Sequence, residues 1–294
     1  LRAYTSESAH YSNRKNAMMS GIGRRHLVMI PVDKQGRMCP ESLRQAVQCD
    51  LEQGLTPFLV VATSGTTVTG AFDPLSAIHE VAQEANMWMH VDAALGGSAL
   101  LSSTHQHLLE GVGHADSMTW NAHKLLGVPL SCSVILTRQQ GHLHAAFEET
   151  ADYLFQSDDN RLEPGMRSMQ CGRRNDALKL WAAWRHVGDQ GMEARVDRLF
   201  SLAREAAAIV RSRPGLTLVT APESVTVCFT VDGADSAQIS RQLLEDGRMM
   251  VGHADVLGTS VIRLVCVNAD LTRDDLEAFF DAVESVASGQ LAGV

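Results

Sequence analysis

The sequence predicts an α/β protein with a mostly parallel sheet covered by helices, followed by a smaller α+β region. Short apolar runs alternate with amphipathic stretches from Leu27 to Leu136, which is the pattern of repeated β-α-β units. Several of these runs stop abruptly at polar or small residues, as buried parallel strands do at a ligand crevice. Short strands and helices alternate again beyond Pro214. We therefore predict two domains, residues 1–190 and residues 191–294.

Composition and charge limit the classes of partner. The chain has 294 residues, 45% of them hydrophobic, and a formal net charge of −9. This charge argues against nucleic-acid and anionic-membrane partners, which need a basic surface. No apolar segment reaches the length of a membrane span. The six cysteines are scattered, and several lie in apolar runs. We therefore expect reduced thiols, a cytoplasmic location and no metal site.

The first predicted strands end at polar residues. Residues 27–32 form a short apolar run, and Pro40 then opens a helix that Gly54 can close. The next strand covers Pro57–Thr63 and runs into Ser64-Gly65-Thr66-Thr67. The hydroxyls and amides of that segment suit a polar ligand, or they simply make a turn.

The central stretch delivers an acid and a lysine to the predicted crevice. Asp73 precedes Pro74 and is expected to cap a helix that Asn86 closes. The apolar run Met87–Val91 ends in Asp92, and a second run ends in Lys124. Pyridoxal phosphate chemistry needs an acid that holds the pyridine nitrogen protonated and a lysine that forms a Schiff base. Alternatively, the acid caps a helix and the lysine is solvated.

The second half begins with a long loop and continues with helices. Residues 155–170 are polar and contain proline and glycine, and loops of this length are often functional. Two consecutive helices are predicted at Asp176–Val187 and Gly191–Arg213. Further helices are predicted at Ser236–Glu245 and Thr272–Ser288 among the short strands of the second domain.

Serial motifs along almost the whole chain resemble those of the group II pyridoxal-phosphate amino-acid decarboxylases. These motifs are Ser6–Ser12, Ala62–Thr67, His90–Ala94 and Asn121–Lys124. The chain is most similar to the glutamate and cysteine sulfinate decarboxylase branch. The stretches typical of that branch are Gly70–Pro74, Tyr153–Gln156 and Gln170–Arg173. The resemblance implies an aspartate-aminotransferase-like fold (fold type I), with a large domain of the seven-stranded type and a small C-terminal α+β domain.

The resemblance also implies roles around pyridoxal 5'-phosphate. Lys124 matches the Schiff-base lysine, and Asp92 matches the partner of the pyridinium nitrogen. His10 matches the imidazole stacked on one face of the ring, and Ala94 matches the residue packed on the other face. Thr66 matches a residue near the 3'-oxygen of the cofactor.

Further positions match the phosphate and substrate sites. Ser117, Asn121 and His123 match positions at or beside the phosphate, and Arg263 matches the arginine that holds the substrate α-carboxylate. An arginine within an otherwise apolar strand is costly without an anionic partner. The implied reaction is α-decarboxylation of a small acidic L-amino acid, namely glutamate, aspartate or cysteine sulfinate, to the amine. The implied assembly is a homodimer with shared active sites.

Two departures from the family pattern qualify this prediction. The glycine- and serine-rich phosphate cup of the family lies before the point at which this chain begins, so we expect an amino-terminal segment or a companion chain to supply it. The loop segment Gln156 to Met169 contains no tyrosine, whereas many relatives carry there a tyrosine that protonates the α-carbon.

Without that tyrosine, His123 or a residue of another chain serves as the acid. Alternatively, protonation at the wrong carbon gives an aldehyde by oxidative deamination. A third hypothesis is a non-catalytic fragment or subunit that needs a partner chain.

Overall fold

The computed structural model describes residues 1–149 and 164–292, which contain two β-sheets. The strands of the first sheet are β1 (Arg2–Ser6), β2 (Leu27–Ile30), β3 (Pro57–Thr63), β4 (Trp88–Ala93), β5 (Ser117–Asn121) and β6 (Ser133–Thr137). Their order is β2-β1-β3-β4-β5-β6. All neighbours pair in parallel except β5 and β6, which are antiparallel. The predicted mostly parallel sheet is confirmed, with six strands in the described residues where the resemblance implies seven.

The second sheet is antiparallel. Its strands are β7 (Leu216–Leu218), β8 (Thr226–Val231), β9 (Gly252–Val256) and β10 (Thr259–Val265), in the order β7-β8-β10-β9. This region also contains the helices α7 (Ser236–Glu245) and α8 (Arg273–Ala292). The predicted α+β region is confirmed, and the predicted bounds of α7 match the observed ones.

Helices cover the first sheet. They are α1 (Ser12–Met19), α2 (Pro40–Glu52), α3 (Leu75–Glu84), α4 (Ala122–Leu125), α5 (His142–Phe147) and α6 (Asp176–Ser212). No helix in the described part of the chain has the length and apolar character needed to cross a membrane. One hydrophobic cluster runs through both sheets and includes Tyr4, Val91, Phe229 and Phe280.

The long helix α6 contains the break that the sequence predicts. Gly188 has φ 68° and ψ −178° inside it, a conformation that interrupts the helix and favours glycine. The predicted domain boundary at residues 190/191 falls just after this kink and stays a prediction. Tyr153 and most of the predicted loop 155–170 lie outside the described residues.

Asp73 does not cap α3, so that prediction is wrong. The N-cap of α3 is Pro74, without a side-chain hydrogen bond. The carboxylate of Asp73 instead accepts hydrogen bonds from the backbone N–H groups of Met38 and Thr63, each at 2.7 Å. Only 2% of Asp73 is exposed. A buried carboxylate needs strong hydrogen-bond donors, and the two backbone N–H groups supply them. Asp73 therefore links the end of β3 to Met38.

The segment 64–73 follows β3 and packs against the second sheet. Arg37, beside this segment, donates from Nε to Glu223 Oε1 of the second region at 3.0 Å. Gly70 has φ +73°, and a Cβ atom at that position would lie 2.0 Å from Ser224 Oγ. The second region therefore packs directly on the segment that follows β3.

Candidate active site

A cavity of 370 Å³ lies at the carboxyl ends of β3, β4 and β5. Parallel strands bring their ends to one edge of the sheet, where open α/β sheets bind ligands. Thr63 pairs in register with Asp92, and Asp92 pairs with Thr119. The residues that line the cavity are His10, Ser12, Asn13, Asn16, Thr63, Gly65, Thr67, His90, Asp92, Ala94, Leu95, Thr119, Asn121 and Lys124.

Lys124 reaches the cavity from α4, the single helical turn that directly follows β5. Burial lowers the pKa of its ammonium group, and the negative charge of Asp92 opposes that shift. The lowered pKa makes the neutral amine easier to form, and the neutral amine is the nucleophilic form of lysine. Lys124 therefore has the chemistry required of a lysine that attacks a carbonyl group.

Asp92 stands at the end of β4 and faces the same cavity. Its Oδ1 accepts a hydrogen bond from the backbone N–H of Ala94 at 3.1 Å. A carboxylate in this position attracts a positive charge inside the cavity. Lys124 and a protonated ring nitrogen are the two cations that it suits.

His10 also lines the cavity, from the turn between β1 and α1. Its Nδ1 is 2.8 Å from Ser12 Oγ, and its ring centroid is 4.2 Å from that of Tyr11. These contacts hold the imidazole at the cavity wall, where a flat ligand can stack on it. Ala94, the predicted residue for the other ring face, also lines the cavity.

Several polar atoms of the cavity wall are buried and have no hydrogen-bond partner. They are Asn13 Nδ2, Thr63 Oγ1 and Asn121 Oδ1. Buried polar atoms without partners are costly in a folded protein, so these atoms indicate a polar ligand. Together with the amine of Lys124 and the carboxylate of Asp92, they fit pyridoxal phosphate, which offers an aldehyde, a ring nitrogen and an anionic group.

Three predicted cofactor residues do not line the cavity, namely Thr66, Ser117 and His123. Thr66 is fully buried, and its Oγ1 accepts the backbone N–H of Ala71 at 3.0 Å and pairs with Thr69 Oγ1 at 2.9 Å. Its hydroxyl shapes the segment after β3, while the flanking Gly65 and Thr67 face the cavity. Thr66 therefore supports the cavity wall without lining the cavity.

Ser117 is the second of these residues, and the structure corrects its predicted placement. It begins β5 at the amino end, because four strand residues separate it from the helix that carries Lys124. Its hydroxyl bonds to Trp88 Nε1 and His90 Nδ1, each at 2.8 Å. The structure therefore places Ser117 below the cavity, away from the strand ends at which a phosphate would bind.

His123 precedes Lys124 and is held by the backbone of Cys132. The N–H of Cys132 lies 2.9 Å from His123 Nδ1, and the carbonyl of Cys132 lies at the same distance. Because buried N–H groups are rarely left unpaired, we assign Nδ1 as the acceptor. The neutral ring then carries its hydrogen on Nε2.

Arg263 comes from β10 of the second sheet and donates through Nη1 to the carbonyl of Thr67. Thr67 lines the cavity, although Arg263 itself does not. The structure therefore brings a cation of the second region to the outer side of the cavity wall.

Sequence reasoning missed several residues of the wall. His90 and Thr119 lie two residues before Asp92 and Asn121, so the period-two alternation of a strand places them on the same face. That signal was available in the sequence. Ser12, Asn13 and Asn16 lie on α1, and no strand pattern indicates their position. Leu95 and Thr67 line the wall through turns whose direction the sequence does not reveal.

Comparison with known proteins identifies the family. The pyridoxal-dependent decarboxylase conserved domain matches residues 1–232. Human cysteine sulfinic acid decarboxylase is 41% identical over 97% of this chain and 62% of its own length. The mouse acidic amino acid decarboxylase GADL1 is 36% identical over 97% of this chain and 56% of its own length.

The fold comparison agrees. The crystal structure of mouse CSAD superposes with a TM-score of 0.91 at 38% identity, covering 98% of this chain and 64% of that chain. The chain thus spans less than two thirds of the length of these relatives. Both the sequence and the fold match along nearly all of this chain. The chain belongs to the pyridoxal-dependent decarboxylase family.

Proposed function

We propose that the protein binds pyridoxal phosphate and removes the α-carboxylate of a small acidic L-amino acid as carbon dioxide, releasing the amine. The candidate substrates are glutamate, aspartate and cysteine sulfinate. Family membership supports the reaction class, and the names of the relatives, cysteine sulfinic acid decarboxylase and acidic amino acid decarboxylase, support an acidic substrate. The observation that carries the proposal is the meeting of Lys124 and Asp92 in one cavity lined with unpaired polar atoms.

Each residue of the cavity has a proposed task. Bound pyridoxal phosphate supplies an electron sink for the electron pair left by the departing carboxylate. Lys124 holds the cofactor through its side-chain nitrogen and yields its place to the substrate amine. Asp92 favours a protonated ring nitrogen through its negative charge. His10 and Ala94 hold the ring from its two faces.

The proposed phosphate site is only partly supplied by this chain. Asn121 and His123 are our candidates at the phosphate, and Asn121 has an unpaired buried oxygen at the cavity wall. With the side-chain amide of Asn121 turned by 180°, its nitrogen would take the place of this oxygen and act as a donor. We propose that an amino-terminal segment or a companion chain contributes the remaining donors.

Substrate binding and reprotonation involve the outer wall. Arg263 is proposed to hold the substrate α-carboxylate by charge-assisted hydrogen bonds. In the structure its Nη1 is bonded to the Thr67 carbonyl, so the arginine would exchange this neutral acceptor for an anion. His123 or a residue of another chain is the proposed acid that protonates the α-carbon.

We also propose that the protein is a cytoplasmic homodimer whose two subunits share their active sites. A second groove, of 1060 Å³, is lined by residues of β6 and the start of α6. Beside it, Leu130 is 77% exposed and Trp181 is 61% exposed, as expected for a surface that a partner covers. The six cysteines are free, which suits a reducing compartment. Sedimentation velocity tests the assembly, and a mass of one chain would contradict it.

The test of the function is product identification. The protein is supplied with pyridoxal phosphate and then separately with glutamate, aspartate and cysteine sulfinate, and carbon dioxide and amine are measured. Alanine is the matched control substrate, because it shares the α-carboxylate and lacks the side-chain acid. We expect equal amounts of carbon dioxide and amine from at least one acid, and little turnover of alanine.

Other products would contradict the proposal in distinct ways. An aldehyde with ammonia would indicate decarboxylation coupled to oxidative deamination. Cofactor binding without turnover of any of the acids would indicate a non-catalytic subunit. Absence of cofactor binding would reject the site itself.

A further inference from the structure

A chain of four hydrogen-bonded side chains runs beneath the cavity across β4 and β5. Trp88 Nε1 lies 2.8 Å from Ser117 Oγ, and Ser117 Oγ lies 2.8 Å from His90 Nδ1. His90 Nε2 lies 3.2 Å from Thr119 Oγ1. Trp88 is 36% exposed, whereas His90 and Thr119 line the cavity. The chain therefore connects the protein surface with the floor of the proposed cofactor site.

The direction of each hydrogen bond follows from the chemistry of the four groups. An indole N–H can only donate, so Ser117 Oγ accepts from Trp88. Burial lowers the pKa of His90, against the opposing effect of Asp92, so the imidazole is neutral near pH 7 and carries one N–H. That hydrogen is either on Nδ1, facing Ser117, or on Nε2, facing Thr119.

The hydroxyl of Ser117 decides between these two tautomers. Ser117 is buried, and buried hydroxyl groups are normally hydrogen-bonded. Among the described residues, its hydroxyl contacts only Trp88 and His90. A hydrogen on Nδ1 would leave the Ser117 hydrogen without an acceptor. Ser117 therefore donates to Nδ1, and Nε2 carries the hydrogen of the imidazole.

The Nε2 hydrogen determines what reaches the cavity. It donates to Thr119 Oγ1, which frees the hydroxyl hydrogen of Thr119 for an acceptor in the cavity. Thr119 is the register partner of Asp92 on the neighbouring strand. A charged His90 would instead compete for Asp92, which is two residues away on the same strand face.

We propose that Ser117 and Thr119 fix His90 as the uncharged Nε2–H tautomer, so that Asp92 keeps its full negative charge for the ring nitrogen of the cofactor. His90 is thus a positioning residue that acts through Asp92. This inference rests on the proposed function only for the identity of the ligand, because the tautomer is a property of the protein alone.

The first measurement is the tautomer of His90 in the cofactor-free protein. Nitrogen-15 NMR of histidine-labelled protein distinguishes a protonated Nε2 from a protonated Nδ1 and from a charged ring. Comparison with His90→Gln assigns the signal among the 12 histidines. We expect a neutral ring with hydrogen on Nε2 near pH 7. A hydrogen on Nδ1, or a charged ring, would overturn the inference.

The second measurement compares variants of two neighbouring members of this hydrogen-bonded chain. Ser117→Ala removes the donor to Nδ1, whereas Trp88→Phe replaces the indole and its N–H by a smaller ring and leaves that donor in place. We expect Ser117→Ala to change the His90 signal and to raise the Kd for pyridoxal phosphate roughly tenfold, the effect of one lost hydrogen-bond partner. Trp88→Phe should keep the His90 tautomer and change the Kd by less than about twofold.

The outcomes separate this inference from the proposed function. If Ser117→Ala keeps both the His90 signal and the wild-type Kd, His90 does not depend on the chain and the inference fails. If the wild-type protein binds no pyridoxal phosphate, the proposed function fails, while the tautomer is still decided by NMR. Thermal unfolding of each variant shows whether it is folded, and the wild-type spectrum tests the tautomer without relying on a variant.

Discussion

The two ends of strands β4 and β5 differ in how their polar groups are paired. At the amino end, Ser117 bonds to Trp88 and His90, and Asp116 accepts the Met89 N–H at 2.8 Å. At the carboxyl end, Asn121 has a buried oxygen without a partner, and so does Thr63 on β3. The polar groups of these strands therefore have hydrogen-bond partners at the amino end, which we call the saturated end. Some of them lack partners at the carboxyl end, which we call the unsaturated end. The unsaturated end is therefore the one prepared for a ligand.

The largest expected effect is that of Lys124→Ala at the unsaturated end. Removal of the amine eliminates the nucleophile, so decarboxylation should fall by at least about 1,000-fold. Borohydride treatment followed by peptide mass spectrometry should no longer attach the cofactor to this position. Lys34→Ala, at an exposed lysine that does not line the cavity, is the matched control and should keep wild-type activity. Cofactor attachment in Lys124→Ala at the wild-type level would contradict the assignment.

Asp92→Asn should have the next largest effect. Removal of one partner of a buried charge pair costs about 2–5 kcal/mol, so kcat/KM should fall roughly 30- to 4,000-fold. The control is Asp116→Asn, which changes a carboxylate at the saturated end of the same strand pair. We expect kcat/KM to change less than about twofold in that control. Similar losses for both variants would break the distinction between the two ends.

Asp73 lies beside the unsaturated end, but each of its carboxylate oxygens accepts a hydrogen bond. Burial raises its pKa to about 6, and the N–H groups of Met38 and Thr63 oppose this shift. Its folded pKa thus lies above the ordinary value of 3.8, so the stability that it contributes is full below pH 3.8 and is lost as the pH rises through about 6.

Urea unfolding of the wild type and of Asp73→Asn measures this effect. The free energy of unfolding of the wild type, relative to the variant, should increase by about 2.4 kcal/mol between about pH 7 and pH 4. A difference between the two proteins that stays constant with pH would show that Asp73 keeps its ordinary pKa in the fold.

The smallest expected effect is that of Asn121→Ala. One hydrogen bond to a charged group is worth about 1.5 kcal/mol, so the Kd for pyridoxal phosphate should rise roughly tenfold. Equilibrium dialysis measures this change. Arg138→Gln, which removes the partner of Asp116 at the saturated end, is the control and should leave the Kd unchanged. An equal loss in both variants would place the phosphate elsewhere.

The sequence predicts what depends on local pattern and strand direction. The apolar run that ends in Asp92 indicates a buried parallel strand, and parallel strands meet ligands at their carboxyl ends. The family motifs add Lys124, His10 and Asn121, which all line the cavity. The alternation of elements and the break in α6 also follow from local signals.

The sequence misses what depends on contacts between distant residues. Asp73 before Pro74 is a strong capping signal, but the carboxylate bonds to Met38, which is 35 residues away. Thr66 and Thr67 are chemically equal in the sequence, and only the turn decides which of them faces the cavity. Ser117 shares a strand with Asn121, and its role depends on which end of that strand it occupies.

Gly70 carries a consequence for how the protein can change by mutation. Its φ of +73° favours glycine, and a Cβ atom there would lie 2.0 Å from Ser224 Oγ. A substitution there would therefore strain the backbone and require Ser224 to move. The packing of the second sheet on the segment after β3 is therefore constrained at this position.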